Sequence, residues 1–351
     1  MKNMRMKKYI GLLLLVQTMC FVSCGNMDDF PELAALDQTT DEESQEEGST
    51  EAATGTVIDE TPLTDEVETV PTAGGTDENW KDFVENFLYD EDTQTWDDGV
   101  KTLEITYNGD AVTYVYKNKS GKVKTLDTST LNVSVDGAHV TVYAYKKMNY
   151  VLKGTTTNGS FKIYSDKKFM LHLDGVSIAN PSDAAINIQE GADGGKRCFL
   201  VVNDDTENYL YDGETYSTPE GEDEKGVIFS EDKILVSGDG YLKIESKGKH
   251  CLVSDDYVYL HKGTRITLVP VAEHDGIKTN DGVYIAGGVL NIVCSGETAK
   301  GINTDGNMCV TGGRTMIVNT SSTPLQYGSI EWSDGMIYLN GKEYEISGQD
   351  N

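Results

Sequence analysis

Proline, arginine and apolar residues are scarce in this sequence. Among its 351 residues there are 7 prolines, and hydrophobic residues make up 38%. So small an apolar share argues against a large helical core and against a protein that crosses a membrane several times. Glycine is abundant, with 36 residues, which favours many tight backbone corners. The length fits roughly two domains or one elongated domain.

Basic residues are outnumbered: 29 Lys and Arg stand against 58 Asp and Glu, for a formal net charge of −29. A chain this acidic repels phosphate backbones, so we expect no nucleic-acid partner. Residues 25–78 contain 17 of the acidic residues and no Lys or Arg, with too few apolar side chains to form a core. This composition predicts a disordered linker whose charges repel one another and hold a folded module away from its attachment point.

The first 24 residues have the pattern of a bacterial secretory signal. Four basic residues accompany an apolar run at 9–16 that is too short to be a stable membrane anchor. The run is followed by Phe-Val-Ser-Cys at 21–24, which resembles a lipoprotein box and indicates lipidation of Cys24. An ordinary cleaved signal is the alternative. We therefore expect an exported lipoprotein of the bacterial cell envelope, exposed at the surface and attached to the membrane through Cys24.

No pair of the remaining cysteines has the spacing of a zinc site or of a redox Cys-x-x-Cys motif. These cysteines are Cys198, Cys251, Cys294 and Cys309. We expect packed or free thiols, and the sequence leaves a disulfide open.

Internal repetition is the strongest pattern in the sequence. Apolar anchors at Ile228, Leu252, Ile277 and Ile302 are 24, 25 and 25 residues apart. Further apolar positions follow each anchor in the same register. Within each repeat, apolar residues alternate with a period of two and glycine corners separate the runs, which is typical of short strands with one buried face.

Short strands that stack on their equivalents one repeat later form a parallel β-helix. We therefore predict an all-β, single-stranded parallel β-helix behind the disordered tether. The domain is predicted to cover residues 79–351, with the clearest repeats at 227–320, weaker echoes upstream and an acidic insertion between 211 and 225. Candidates for terminal caps are Trp80, Phe83 and Phe87 at one end, and Trp332, Tyr338 and Tyr344 at the other.

Two motifs, Asp275-Gly-Ile-Lys-Thr-Asn-Asp281 and Lys300-Gly-Ile-Asn-Thr-Asp305, each precede a strand and a Gly-Gly pair. Together with Leu173-Asp-Gly-Val-Ser-Ile178 and Asp204-Asp-Thr-Glu-Asn-Tyr-Leu210, they resemble the carbohydrate-binding domain family of bacterial surface proteins. The resemblance implies a right-handed β-helix similar to that of pectate lyases. It also implies binding of cellulose-like and acidic plant polysaccharides, with calcium.

Acidic side chains recur at the corner that follows each anchor. Equivalent residues of stacked coils lie about 4.8 Å apart, where carboxylates repel unless they are solvated, protonated or bridged by a cation. Calcium binds oxygen ligands, which two adjacent coils can supply. The alternative is that these side chains only cap turns. The candidate calcium ligands are Glu231, Asp232, Asp255, Asp256, Asp275, Asp281 and Asp305.

Outward strand positions are candidates for contact with sugars. Adjacent tyrosines there can stack on sugar rings, and an arginine can pair with a uronate carboxylate. The alternative is the ordinary preference of tyrosine for strands. The candidate carbohydrate-binding residues are Tyr257, Tyr259, Tyr284, Tyr241, Arg265 and Arg314.

Three functions of different classes remain open. The first is a monomeric surface lipoprotein that binds plant cell-wall or acidic polysaccharide with calcium. The second is a calcium-dependent polysaccharide lyase, in which Lys278 or Lys300 would act as the base, although no lyase motif is found. The third is an adhesin or structural stalk. We predict binding rather than catalysis.

Overall fold

The computed structural model describes residues 99–191 and 197–345, together with the backbone of two short strands before them. Every regular element in these ranges is a β-strand. Among the described residues there is accordingly no helix of the length and hydrophobicity that a membrane span requires. The predicted signal, Cys24, the acidic linker and the cap candidates Trp80, Phe83 and Phe87 lie outside the described residues.

The first strands form hairpins. They are β1 Tyr89–Asp90, β2 Thr95–Trp96, β3 Lys101–Asn108, β4 Ala111–Lys117 and β5 Leu131–Asp136. β1 pairs with β2, and β3 pairs with β4, in antiparallel fashion.

About eight coils follow, each with two or three strands. The first four contain β6 Ala138–Ala144 and β7 Met148–Thr156; β8 Gly159–Ser165 and β9 Phe169–Ala179; β10 Ile186–Glu190, β11 Cys198–Val202 and β12 Glu207–Tyr211; β13 Gly226–Ser230, β14 Ile234–Ser237 and β15 Tyr241–Glu245. The others contain β16 His250–Ser254, β17 Tyr257–Leu260 and β18 Arg265–Val269; β19 Ile277–Thr279, β20 Gly282–Ile285 and β21 Val289–Val293; β22 Ile302–Thr304 and β23 Asn307–Val318; β24 Leu325–Gln326 and β25 Ser329–Leu339. The last strand is β26 Lys342–Glu343.

Parallel pairing between equivalent strands of successive coils builds three faces. The first face is a nine-stranded sheet in the order β24-β22-β19-β16-β13-β10-β8-β6-β5, in which only β5 runs antiparallel to its neighbour. The second face contains β11, β14, β17 and β20, and the third contains β12, β15, β18 and β21. The long strands β9 and β23 pair with both columns and join them into one sheet. The predicted β-solenoid is confirmed.

The apolar ladder of the first face follows the predicted register. Ile277 pairs with Leu252 on one side and with Ile302 on the other. Leu252 pairs in turn with Ile228. All four side chains are buried. The repeat length of 24 or 25 residues is therefore the length of one coil.

The interior is one continuous apolar cluster that runs from Leu103 to Ile337. Aromatic rings fill its N-terminal part, where Tyr150 lies 5.7 Å from Phe161 and 5.8 Å from Phe169 between ring centroids. Each fully buried apolar side chain contributes roughly 1.5–3 kcal/mol before entropy is counted. A single coil buries these side chains only against its neighbours, so the coils stabilise one another.

Glycine is required at the corner between the second and third faces. Gly288 has a φ of +79°, and a Cβ at this position would lie 2.5 Å from the carbonyl oxygen of Thr264. One coil later, Gly313 has a φ of +80° and meets the backbone of Gly287 and Gly288 in the same way. This stacking of backbones explains the repeated Gly-Gly pairs.

Hairpins close both ends of the described solenoid. At the C-terminal end, β25 pairs antiparallel with β26, and the rings of Trp332 and Tyr344 stack at 6.2 Å with an interplanar angle of 8°. The hydroxyl groups of Tyr344 and Tyr327 lie 2.9 Å apart, and the hydroxyl of Tyr338 donates to Met336 Sδ. The cap candidates Trp332, Tyr338 and Tyr344 all lie at this end, and the β3–β4 and β5–β6 hairpins lie at the N-terminal end of the described residues.

A second apolar cluster lies on the outer side of the second face. Its members are Met170, Phe199, Val201 and Leu235, and they are separate from the interior cluster that contains their strand neighbours. Although these side chains point away from the interior, Phe199 is 0% exposed. Val100, Tyr257 and Tyr259 pack against them. We call this group the outer apolar cluster.

The predicted acidic insertion is a loop, residues 212–225, between β12 and β13. It is held down by a buried carboxylate: Asp212 accepts hydrogen bonds from the backbone N–H groups of Lys247, Gly248 and Lys249 and from the hydroxyl of Tyr216. We call this segment the insertion loop. It covers part of the outer side of the first face.

The four cysteines of the domain are buried and form no disulfide with one another. Burial raises the pKa of the Cys198 and Cys294 thiols, the latter to about 12. These two thiols are therefore protonated, and the burial of all four agrees with the packed-thiol interpretation.

Candidate functional site

The predicted tyrosines come together on the outer side of the second face. Tyr259 pairs with Tyr284 in the register of β17 and β20, and their rings stack with centroids 6.1 Å apart and an interplanar angle of 17°. Tyr257 meets the edge of Tyr284 at 5.4 Å and 77°. The ring of His261 extends the group, 4.5 Å from that of Tyr259. We call Tyr257, Tyr259 and Tyr284 the tyrosine cluster.

The tyrosine cluster is half-buried and its shape is fixed by its surroundings. It rests beside the outer apolar cluster, and the ammonium of Lys233 lies 5.7 Å from the centre of the Tyr257 ring. Burial raises the pKa of the Tyr257 hydroxyl, so this group stays protonated at neutral pH. Rigid aromatic rings with protonated hydroxyls offer both stacking area and hydrogen bonds to a sugar.

The predicted residues of the third face are only partly brought together. Tyr241 pairs with Arg265, but Val289 separates Arg265 from Arg314 in the next two coils. The Nε of Arg265 donates to the carbonyl oxygen of Asp239 at 2.9 Å. Within the described residues, the buried Nε of Arg314 has no hydrogen-bond partner. Tyr241 and Arg265 therefore form a pair, and Arg314 stands apart from it.

An additional tyrosine adjoins this pair. The Tyr209 ring meets the Tyr241 ring at 6.4 Å and 73°, and the Tyr209 hydroxyl donates to Glu207 Oε2 at 2.6 Å. The hydrogen bond to Glu207 raises the pKa of Tyr209 to about 12. The sequence did contain a signal for Tyr209, because this residue pairs with Lys243 of the next coil and so occupies an outward strand position. The acidic insertion interrupts the repeat after this strand and hides the signal.

Six of the seven predicted calcium ligands stand at the turns between the first and second faces. We call this group the acidic corner; it consists of Glu231, Asp232, Asp255, Asp256, Asp281 and Asp305. Two lysines contact it: Lys225 lies 2.7 Å from Asp255, and Lys233 lies 2.5 Å from Asp256 and 3.3 Å from Asp232. Its charge repulsion is thus relieved in part by ammonium groups.

Two carboxylates of the acidic corner, those of Asp256 and Asp281, interact with each other. Partial burial and the neighbouring carboxylate of Asp256 raise the pKa of Asp281. In the described ranges, no three Asp, Glu, His or Cys side chains converge in a way that could hold a metal ion. The corner therefore does not form a preformed calcium cage. Lys225 and Lys233 pair with three of its six carboxylates. Calcium assistance stays a prediction.

Asp275 belongs to a different site at the start of the first-face strands. Its carboxylate accepts hydrogen bonds from the backbone N–H of Lys300 and the side-chain amide of Asn303, both at 2.8 Å. Its own backbone N–H donates to Nδ1 of His250 at 2.8 Å. This buried network ties three successive coils together, and it separates Asp275 from the acidic corner.

The His250 network predicts a pH dependence of stability. Burial lowers the pKa of His250 from 6.5 to about 4, against the opposing effect of the Asp275 carboxylate, while Lys278, His274 and Lys249 lower it further. The folded state thus favours the neutral ring, whereas the unfolded chain takes up a proton below pH 6.5. The stabilisation is complete above pH 6.5 and is lost as the pH falls toward 4, by up to about 3 kcal/mol.

We expect His250→Asn to remove most of this dependence, because its side-chain oxygen can still accept from the Asp275 N–H. Chemical denaturation at pH 7.5 and pH 4.5 measures it. The free energy of unfolding of the wild type should fall by about 2 kcal/mol more than that of the variant. Equal losses in the two proteins would contradict the assignment.

The first face carries a group that the sequence did not single out. The rings of Tyr143 and Tyr164 stack at 4.8 Å and 5° on its outer side, and Tyr143 is 44% exposed. The Tyr164 hydroxyl donates to Glu222 of the insertion loop, and Lys162 contacts Glu222 and Glu224. The alternation around Phe161 and Ile163 marks these positions as outward, but nothing in the spacing shows that the insertion loop reaches them.

A solved protein structure is similar in fold to this solenoid. The solved structure described as that of the polysaccharide lyase-like protein from C. thermocellum, in a gadolinium derivative, matches with a TM-score of 0.50 and 22% identity, over 70% of this chain and 98% of that one. At this identity the similarity shows the fold alone. Curated protein sequences contain no match. The family described as carbohydrate-binding domain-containing protein matches residues 136–348. That is more than half of the chain, and the chain belongs to this carbohydrate-binding domain family.

Proposed function

We propose that the protein binds polysaccharide through the tyrosine cluster on the second face. The observation that carries the proposal is the contact of three outward rings, at 5.4 and 6.1 Å, from strands of adjacent coils. Such a group offers adjacent aromatic surface along the solenoid axis, which suits a chain of sugars better than a single small ligand. Membership of a carbohydrate-binding family supports this reading.

We infer the class of glycan from a pair of residues on the third face. Tyr241 and Arg265 are adjacent there, and an arginine can pair with a carboxylate of a uronate unit. A plant cell-wall polysaccharide with acidic units fits this arrangement. The secretory pattern and Cys24 support placement of the binding domain outside the cell as a surface lipoprotein, with the acidic linker as a spacer.

Removing two rings of the tyrosine cluster should weaken binding strongly. A stacked pair of aromatic rings is worth roughly 0.5–1.5 kcal/mol beyond its buried area. With a similar value for each ring stacked on a sugar, we expect the Tyr259→Ala, Tyr284→Ala double variant to bind at least about tenfold more weakly. Isothermal titration and affinity electrophoresis with a soluble cellulose derivative and with polygalacturonate measure this. Tyr114→Ala is the matched control, because Tyr114 is 42% exposed on the β3–β4 hairpin.

The same assay separates the alternatives. A double variant that binds like the wild type, with an unchanged melting temperature, would contradict the tyrosine cluster as the site. Binding to cells but to no purified glycan would favour an adhesin, and the appearance of unsaturated, UV-absorbing ends from polygalacturonate would show a lyase.

The role of calcium is tested by repeating the titration with a chelator. If the chelator abolishes binding and Asp281→Asn does the same, an ion at the acidic corner is supported. Unchanged binding in the presence of the chelator would contradict it.

A further inference from the structure

A small polar pocket lies on the outer side of the first face, apart from the tyrosine cluster. Its volume is about 110 Å³. Strands β6, β8 and β10 form its floor, and the insertion loop together with the loop after β9 forms its walls. We call it the insertion pocket. The lining groups that matter are His139, Lys162, Asp183, Asn187, Ser217 and Glu224.

The floor of the insertion pocket and the adjoining wall are polar, buried and held in place. Glu224 and Asn187 are each 3% exposed. The Asn187 amide donates to Glu224 Oε1, while its oxygen accepts from the amide of Gln189 at 2.7 Å. Two polar side chains fixed in this way present donors and acceptors in a set geometry, which is how a binding site obtains specificity for hydroxyl groups.

The wall of the insertion pocket is equally organised. Asp183 accepts hydrogen bonds from both the backbone N–H and the hydroxyl of Ser217, at 2.7 and 2.8 Å. On β6 and β8, Nδ1 of His139 lies 3.0 Å from the hydroxyl oxygen of Ser160. The pocket is thus surrounded by groups that both donate and accept, as sugar hydroxyls require.

The charge of the insertion pocket argues against an acidic sugar. Its one lysine, Lys162, is already paired with Glu222 and lies 3.4 Å from Glu224. The pocket is also lined by two carboxylates, those of Asp183 and Glu224. A uronate carboxylate would meet like charges and an ammonium that has its partners, so it is disfavoured.

The size of the insertion pocket limits how much of a glycan enters it. Pockets that enclose a whole small ligand measure roughly 300 Å³ or more. One of about 110 Å³ admits part of one sugar, and a chain cannot pass through it. The Tyr143–Tyr164 stack lies beside it, since Lys162 of the pocket is 5.5 Å from the Tyr164 ring. A following sugar would rest there.

We propose that the insertion pocket binds a neutral, hydroxyl-rich sugar unit at the end or branch of a polysaccharide. This inference rests on the proposed function and narrows its substrate class. A chain held along the tyrosine cluster and beside Arg265 carries acidic units, while the insertion pocket selects an uncharged terminus or side group.

A tryptophan at the rim tests this. Ser217 is exposed, so Ser217→Trp blocks the pocket without touching the buried floor, and Ser120→Trp at the exposed β4 end is the matched control. Titrations of the full chain use neutral hexamers of the cello-, xylo-, manno- and galacto- series and hexagalacturonate. We expect at least one neutral hexamer to bind, to lose at least tenfold in affinity in Ser217→Trp, and to keep its affinity in Ser120→Trp.

The outcomes separate this inference from the proposed function. Neutral hexamers that bind Ser217→Trp as tightly as the wild type, but bind the Tyr259→Ala, Tyr284→Ala variant more weakly, overturn the pocket and leave the proposed function standing. If the wild type binds hexagalacturonate but none of the neutral hexamers, the proposal for the pocket is also overturned. If Ser217→Trp melts earlier, Asp183→Asn replaces it: weaker binding of the neutral hexamer supports the pocket, and unchanged binding overturns it. Absence of any glycan binding overturns both.

Discussion

Ile277→Asp is expected to abolish the folded state. Ile277 is completely buried between Leu252 and Ile302 in the first-face ladder. Loss of the apolar side chain alone costs about 2–5 kcal/mol, and an unpaired buried carboxylate adds several more. The sum is comparable to the roughly 5–15 kcal/mol by which a domain is stable. Far-ultraviolet circular dichroism and thermal melting should show no cooperative transition.

The control for this variant adds the same charge nearby. Asn280 is exposed at the turn three residues later, so Asn280→Asp should change the free energy of unfolding by less than about 1 kcal/mol. Ile277→Ala is the graded case, with a loss of about 2–5 kcal/mol. A folded Ile277→Asp with a melting temperature near that of Asn280→Asp would mean that the ladder does not hold the coils together.

Asp212→Ala should give the largest loss among the polar substitutions. The Asp212 carboxylate is 3% exposed and accepts from three backbone N–H groups of residues 247–249 and from Tyr216. Burial raises its pKa in spite of these donors. Without the carboxylate, these donors remain buried without an acceptor. Each one that water does not reach then costs roughly 1–3 kcal/mol of stability. We expect a loss of about 3 kcal/mol in chemical denaturation.

The same substitution should release the insertion loop. Limited proteolysis is then expected to cut residues 212–225 faster in Asp212→Ala than in the wild type. Asp223→Ala is the control within the same loop, because its partner is Lys225 and its side chain is 62% exposed. An exposed ion pair is worth about 0–1 kcal/mol, so this variant should melt and resist proteolysis like the wild type. Equal behaviour of the two variants would contradict the anchoring role of Asp212.

The fold could be predicted because its information is local and periodic. A period of two around Val283 and Ile285, repeated after 25 residues at Met308 and Val310, leaves few arrangements other than stacked coils, and these pairs do lie in register. The same periodicity placed Tyr259 beside Tyr284. Neighbours within a ladder follow from the repeat, whatever their chemistry.

The polar sites could not be predicted to the same depth, because their contacts cross the repeat. Lys162 reaches Glu222 over a separation of 60 residues, and Asn187 reaches Glu224 over 37. No spacing encodes where an insertion loop folds back. The acidic corner shows the same limit: the column of carboxylates was visible, but the lysines that take Asp255 and Asp256 come from outside it. Asp275 looked like one more ligand and is instead a buried partner of Asn303.

Side-chain footprinting with hydroxyl radicals tests the central proposal most directly. The full chain is oxidised with and without saturating amounts of a soluble cellulose derivative or polygalacturonate, and each tyrosine is followed by mass spectrometry. We predict that the polysaccharide reduces oxidation of Tyr257, Tyr259 and Tyr284 several-fold and leaves Tyr114 and Tyr145 unchanged. Equal oxidation of the tyrosine cluster with and without bound polysaccharide would contradict the account.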